Sequence, residues 1–169
     1  MRIAICGAGI AGPTAAYWLL RSGHVPTLIE RAPTLRTGGY VIDFWGIGFR
    51  VAQLMNLGDD VLDAGYRVRT LRGVRSDGRS FTNIDVGAFA DAVDGRYTTI
   101  ARSDLAAVIY SSVADDVETV FDDTVTAIDN RPDGVTVSFE RCPAREFDLV
   151  LGADGLHSAV RNIAFGAED

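Results

Sequence analysis

The first thirty residues constrain this chain more than any other stretch. A short apolar run, Arg2-Ile3-Ala4-Ile5-Cys6, leads into Gly7-Ala8-Gly9-Ile10-Ala11-Gly12, then into a helical stretch and a second apolar run, Val25 to Ile29, closed by Glu30. Periodicity reads this as strand, tight turn, helix and parallel strand. Ala15, Ala16, Leu19 and Leu20 share one helical face, and Gly23 ends the helix.

Each glycine has a separate task in that reading. Gly7 lets the chain leave the strand in a tight turn, Gly9 puts no side chain between the backbone and a pyrophosphate, and Gly12 lets the helix pack close to the sheet. A pyrophosphate held there meets free N–H groups and the positive end of the helix dipole. Glu30 stands near the spacing at which a carboxylate ending the second strand accepts from a ribose hydroxyl and repels a 2′-phosphate. Dinucleotide binding is therefore the anchor of the reading.

Composition narrows the partners. A net charge of −7 argues against nucleic acid and anionic membrane surfaces, which need clustered basic residues. The acidic runs Asp85 to Asp94 and Asp115 to Asp123 read as solvated loops and helix ends. Cys6 and Cys142, like His24 and His157, lack metal spacing, so no metal is expected and the thiols read as free in a reducing compartment. No run approaches the roughly 18 apolar residues of a membrane helix, and a cytoplasmic location is expected.

Further along, Ala32 to Gly39 reads as a loop, and Tyr40 to Phe44 as a short strand carrying Asp43. The spacing predicts one helix over Trp45 to Leu57, with Ile47, Val51, Leu54 and Met55 inward and Gly58 as its C-terminal cap. Tyr66 to Val74 and Arg79 to Val86 flank Ser76-Asp77-Gly78 as a β-hairpin, followed by a loop or poorly formed helix over Gly87 to Gly95. The next helix is expected from about Ile100 to Ser112, capped by Ser103, with Leu105, Val108 and Ile109 inward. Val117 to Phe121 reads as a strand, and Thr124 to Asp129 with Val135 to Phe139 as a second hairpin around Arg131-Pro132-Asp133-Gly134. Phe147 to Leu151 is a continuous apolar run of the kind buried in a parallel sheet, and a helix resumes around His157 to Ile163. That strand delivers Gly152-Ala153-Asp154-Gly155 to the carboxyl end of the sheet, beside the Gly7 loop.

Three features then coincide: the Gly7-x-Gly9-x-x-Gly12 loop with Glu30-Arg31, Arg102 just before a helix, and Asp148-Leu-Val-Leu-Gly152-Ala-Asp154-Gly155-Leu-His-Ser158-Ala-Val-Arg161. Together they resemble the FAD-dependent aromatic-ring hydroxylases, the group A flavoprotein monooxygenases of the p-hydroxybenzoate hydroxylase type. Gly38-Gly39-Tyr-Val-Ile-Asp43 resembles the tetracycline-degrading branch.

The resemblance implies an α/β fold with a Rossmann-like, glutathione-reductase-type parallel sheet and inserted β-hairpins. Residues 1–65 and 98–169 would form the FAD-binding domain and 66–97 part of a substrate-binding lobe. Gly7, Gly9, Ala11, Gly12, Glu30 and Arg31 would hold the adenosine diphosphate part of FAD, joined by Asp154 and Gly155. Arg102 and Asp43 would serve the flavin side, and Arg36 the nicotinamide cofactor.

It further implies reduction of FAD by NADH or NADPH, capture of O2 as a flavin C4a-hydroperoxide, and oxygen transfer to a small aromatic substrate. The cofactor carries that chemistry, so no catalytic side chain is assigned. The family's third signature, a Gly-Asp segment, is absent, and the chain stops at Phe165 to Asp169. An N-terminal part with little turnover of its own is expected, with the missing half supplied by a second chain or segment. Halogenases and prenyl reductases of the same flavin superfamily, an NAD-dependent dehydrogenase and a non-catalytic dinucleotide-binding remnant are the competing readings.

Overall fold

The computed structural model describes residues 1–166 and leaves the side chain of Phe89 undescribed; the last three residues of the expected endpoint, Ala167 to Asp169, lie outside the described residues. Backbone contacts divide the chain into two compact units, one of Met1–Thr37 with the chain from Ile109 on, the other of Gly38–Val108.

In the first unit, β1 (Arg2–Cys6), α1 (Ala11–Arg21) and β2 (Val25–Glu30) form the expected strand-helix-strand, with β2 parallel to β1. Ile3, Ala4, Ile5, Leu28 and Ile29 are buried, as continuous apolar strands covered on both faces should be. The helix turns Gly12, Pro13, Ala16 and Tyr17 inward, so the buried stripe sits nearer its N-terminus than Leu19 and Leu20 suggested. Small residues at the first turn let the backbone approach the sheet, and the bulkier leucines lie at the margin.

The second unit holds β3 (Val41–Trp45), α2 (Gly46–Leu54), α3 (Gly58–Ala64), β4 (Thr70–Val74), β5 (Ser80–Asp85), α4 (Gly87–Ala92) and β6 (Tyr97–Ala101). The single helix expected over Trp45 to Leu57 is two helices. Asn56 takes a left-handed conformation (φ 60°) that breaks the first, and Gly58 opens the second instead of capping it. Its inward residues are Phe49, Ala52 and Met55, while Ile47 and Leu54 are exposed. The inward line runs through Phe49, Ala52 and Met55 at three-residue spacing, so Met55 is inward as expected while Ile47 and Leu54 lie off that face. β4 and β5 form the expected antiparallel hairpin. β6 was not anticipated: Tyr97-Thr-Thr reads as polar, yet the strand pairs antiparallel with β3 and is buried over Tyr97 to Ile100.

α5 (Arg102–Ser111) runs from the second unit into the first. Helix begins at Arg102, so Ser103 lies inside it and its hydroxyl donates to Asp104 instead of capping. Leu105 and Ile109 are buried, as expected. Back in the first unit come β7 (Glu118–Phe121), β8 (Val125–Arg131), β9 (Gly134–Phe139), β10 (Arg145–Phe147), β11 (Leu149–Gly152) and α6 (Ala159–Phe165).

The parallel sheet has the order β11-β1-β2-β7. A three-stranded antiparallel sheet, β10-β9-β8, packs Val125, Val137 and Phe147 against Ala4, Cys6 and Ile29. The run Phe147 to Leu151 is therefore not one strand. Phe147 belongs to β10 and Leu149 to β11, and the chain changes sheets at Asp148, whose carboxylate accepts from the Arg2 amide at 2.6 Å. β11 borders the sheet with Leu149 39% exposed, so it is not covered on both faces as its composition suggested. Among the described residues no helix is long and apolar enough to cross a membrane.

Candidate functional site

The carboxyl ends of the four parallel strands set the site. Cys6 lies level with Ile29 and Gly152, and Glu30 with Phe121. The residues that follow each strand thus gather at one edge: Gly7, Glu30, Asp123 and Asp154 all line a cleft there, with Arg36 and His157.

Two of the three glycines are demanded by the fold itself. Gly7 adopts φ 108° and donates its N–H to the Ile29 carbonyl at 2.7 Å; a Cβ on it would fall 2.5 Å from the Ala153 carbonyl oxygen. A Cβ on Gly12 would fall 1.9 Å from the Gly7 carbonyl oxygen. Gly9 differs, because a Cβ there would meet nothing within 4 Å. α1 starts beside it with no side-chain cap and no acidic residue in its first turn. The amides of that turn and the space before them suit an anion.

Glu30 is a clasp as well as a site residue. Its Oε2 accepts from the Ala8 amide at 2.9 Å and its Oε1 from the Ala32 amide at 2.9 Å, and the carboxylate is only 12% exposed. Arg36 approaches Oε1 at 3.9 Å from an exposed position, a distant ion pair worth little. Each carboxylate oxygen still has a lone pair for a further donor. Arg31 and Ala11 are exposed at the edges of the cleft-forming segments.

Asp154 reaches the Gly7 turn, as expected, but its carboxylate is already engaged. Oδ1 accepts from the Ser158 hydroxyl at 2.5 Å and Oδ2 from the Val160 amide at 3.2 Å, while Ser158 caps α6 by accepting from the Arg161 amide. The residue thus holds the start of α6 against the carboxyl end of β11. Gly155 follows in an open turn at φ 83°. Cys6, buried and facing the Asp154 charge, has its thiol pushed up to about 12 and stays protonated.

Asp123 was missed. It stood in an acidic run read as solvated, yet it is 2% exposed. It follows β7, and the carboxyl-end rule applied to Val117 to Phe121 would have found it. Its carboxylate accepts from the amides of Thr124 (2.8 Å), Arg141 (3.1 Å) and Cys142 (2.9 Å). Burial alone would raise its pKa, but bonds from the Cys142, Thr124 and Arg141 backbone and from the Cys142 thiol hold it below the usual carboxylate value.

The two remaining predicted site residues lie in the second unit. Asp43 stands on β3, where its Oδ1 accepts from the hydroxyls of Thr99 and Tyr97. Arg102 is exposed at the first position of α5, its amide bonded to the Tyr40 carbonyl. Among the described residues no cluster of three or more His, Cys, Asp or Glu side chains could hold a metal.

Known proteins give this arrangement a relationship. No protein-family model matches the chain. An uncharacterized protein of Mycobacterium tuberculosis is 39% identical over 168 residues, 99% of this chain and 45% of that protein. A flavin-dependent monooxygenase of Legionella longbeachae is 34% identical over 165 residues, 98% of this chain and 42% of that protein. Among solved structures, the tetracycline destructase Tet(51) superposes with a TM-score of 0.81 at 33% identity, covering 97% of this chain and 41% of that one. HpxO of Klebsiella pneumoniae, solved with FAD and uric acid, superposes with a TM-score of 0.80 at 26% identity, covering 96% and 41%. The chain therefore spans less than half the length of these relatives, and along that span it is similar to proteins named as flavin-dependent monooxygenases.

Proposed function

We propose that this chain is the FAD-binding part of a monooxygenase that uses NADH or NADPH and O2 to hydroxylate a small aromatic molecule. The single observation that carries the reading is Gly9. The fold requires Gly7 and Gly12 to be glycine, whereas open space faces Gly9, at the N-terminus of α1. A bound pyrophosphate explains why no side chain stands there.

In this reading the parallel sheet is a Rossmann-like, glutathione-reductase-type sheet. Residues 1–65 and 98–169 serve FAD, and 66–97 begin a substrate lobe. Gly9, Ala11 and the first turn of α1 receive the pyrophosphate, whose charge the helix dipole favours. Glu30 accepts from a ribose hydroxyl through lone pairs that Ala8 and Ala32 leave unused, with Arg31 beside it. Asp154 and Gly155 shape the far wall through Ser158 and Val160. Asp43 and Arg102 are assigned to the flavin end, and Arg36 to the nicotinamide cofactor. When bound, FAD supplies the redox chemistry; the chain binds and orients it. The FAD-containing HpxO structure and the names of the monooxygenase relatives support this reading.

The test is titration of the purified chain with FAD, followed by denaturation and chromatography of the released flavin. Binding near one equivalent, lost in Glu30→Ala with the fold retained by circular dichroism, is the expected result. A chain that takes up NAD and no flavin would overturn the proposal in favour of a dehydrogenase.

A further inference from the structure

We infer that Asp123 is a positioning residue, which holds the turn between β7 and β8 as the wall against which the base of the bound nucleotide rests. This rests on the FAD reading above and deepens it by placing the base. The order of the strands sets the direction of the ligand. Gly7 follows β1 beside the first turn of α1, Glu30 ends β2, and Asp123 follows β7, which lies on the far side of β2 from β1. With phosphates at the α1 turn and a ribose on Glu30, the next group along the nucleotide falls at the end of β7.

Two backbone bonds seat that end beside Glu30. The Asp123 amide donates to the Glu30 carbonyl at 3.2 Å, and the Asp122 amide to the Ala32 carbonyl at 3.0 Å. Thr124 and Val125, the next residues of the turn, line the same cleft as Gly7 and Glu30. The turn is in turn gripped by the loop between β9 and β10. The Glu140 amide donates to the Thr124 carbonyl at 3.0 Å, and the Arg141 and Cys142 amides reach the Asp123 carboxylate.

The donor set separates Asp123 from a direct ligand contact. Four donors, the amides of Thr124, Arg141 and Cys142 and the Cys142 thiol, meet the roughly four lone pairs of its carboxylate. Glu30, with one amide on each oxygen, keeps lone pairs for a ribose. Asp123 therefore acts through the turn it holds. A buried charge is costly unless donors surround it, and this one joins two loops that are far apart in sequence exactly where the cleft needs a fixed wall. The neighbouring pair of Asp122 with Arg141 is exposed, so it adds little to that grip.

The test titrates the wild-type chain, Asp123→Asn, Cys142→Ala and Thr124→Phe with ADP, UDP and inorganic pyrophosphate. The wild type should bind ADP more tightly than UDP, because a purine covers more of the wall. Asp123→Asn puts an NH2 among amide donors. It should weaken ADP about tenfold, the scale of a lost hydrogen bond to a charged group, bring ADP and UDP level, and leave pyrophosphate within about twofold. Cys142→Ala, which keeps the three amide bonds, should weaken ADP about threefold with pyrophosphate unchanged. Thr124→Phe keeps the clasp but fills the place of the base, and should weaken ADP at least about tenfold, again sparing pyrophosphate. A merely structural Asp123 would weaken all three ligands alike or lower the unfolding temperature alone, and both results would overturn the inference. Should Asp123→Asn fail to fold, unchanged ADP binding in Cys142→Ala or in Thr124→Phe would overturn it. A wild type that binds ADP and UDP equally would overturn it while sparing the phosphate site. A wild type that binds none of the three would overturn the FAD reading, and this inference with it.

Discussion

The parallel sheet of the first unit and the β4–β5 hairpin of the second both carry large apolar side chains, densely in the sheet and sparsely in the hairpin, and they differ in what covers them. In β1, Ile3 to Cys6 are all buried, and in β2 only the two ends are not. Every residue of β5 is exposed, and Leu71, Val74, Phe81 and Ile84 stand more than half out of contact. The hairpin owes its pairing to a local turn at Ser76-Asp77-Gly78, where the Asp77 carboxylate accepts from the Arg79 amide. The parallel strands owe theirs to crossovers that bring distant segments together. A local turn is therefore enough to pair two strands, while burial of their apolar side chains depends on which long-range partner arrives.

Breaking the buried side of this comparison should produce the largest effect. Gly12→Ala pushes a Cβ to 1.9 Å from the Gly7 carbonyl oxygen, so the helix must move off the loop. We expect a loss of about 4 kcal/mol or more in urea denaturation, the range of severe backbone clashes. Leu28→Ala removes a fully buried side chain from β2 and should cost about 2–5 kcal/mol in the same measurement.

The Asp123 loop is intermediate, and its effect carries a pH signature. Because the folded-state pKa lies below the unfolded one, its stabilisation is complete above the unfolded value and is lost as pH falls through the folded value. The denaturation midpoint should drop below about pH 4, and Asp123→Asn should flatten that dependence while costing about 1–3 kcal/mol at neutral pH. On the bare side, Phe81→Ser at 62% exposure should change stability by less than about 0.5 kcal/mol. A large loss there would show that the hairpin face is covered in solution.

The same contrast explains what the sequence disclosed. Continuous apolar runs and glycine turns marked β1, α1 and β2, because both signals are local. Asp154 was placed correctly because it follows a strand whose carboxyl end is fixed by the sheet. Asp123 escaped notice because its burial depends on amides from 141 and 142, far along the chain, and neighbouring acidic residues disguised it. β6 escaped for a similar reason, since Thr98 and Thr99 are buried only through long-range partners such as Tyr66 and Asp43. The break at Asn56 was hidden by an apolar stripe that continues past it. The Asp154 carboxylate was foreseen as a ligand contact, whereas its bonds to Ser158 and Val160 required the geometry of α6.

The central claim is that Gly9 is kept free of a side chain for a ligand, while its neighbours serve the fold. The measurement that tests it most directly is FAD binding and thermal unfolding of Gly9→Val beside wild type. The account predicts that FAD binding falls by about a hundredfold or more as the side chain fills the anion's place, with an unchanged unfolding temperature for the ligand-free chain. Unimpaired FAD binding in that variant would contradict it.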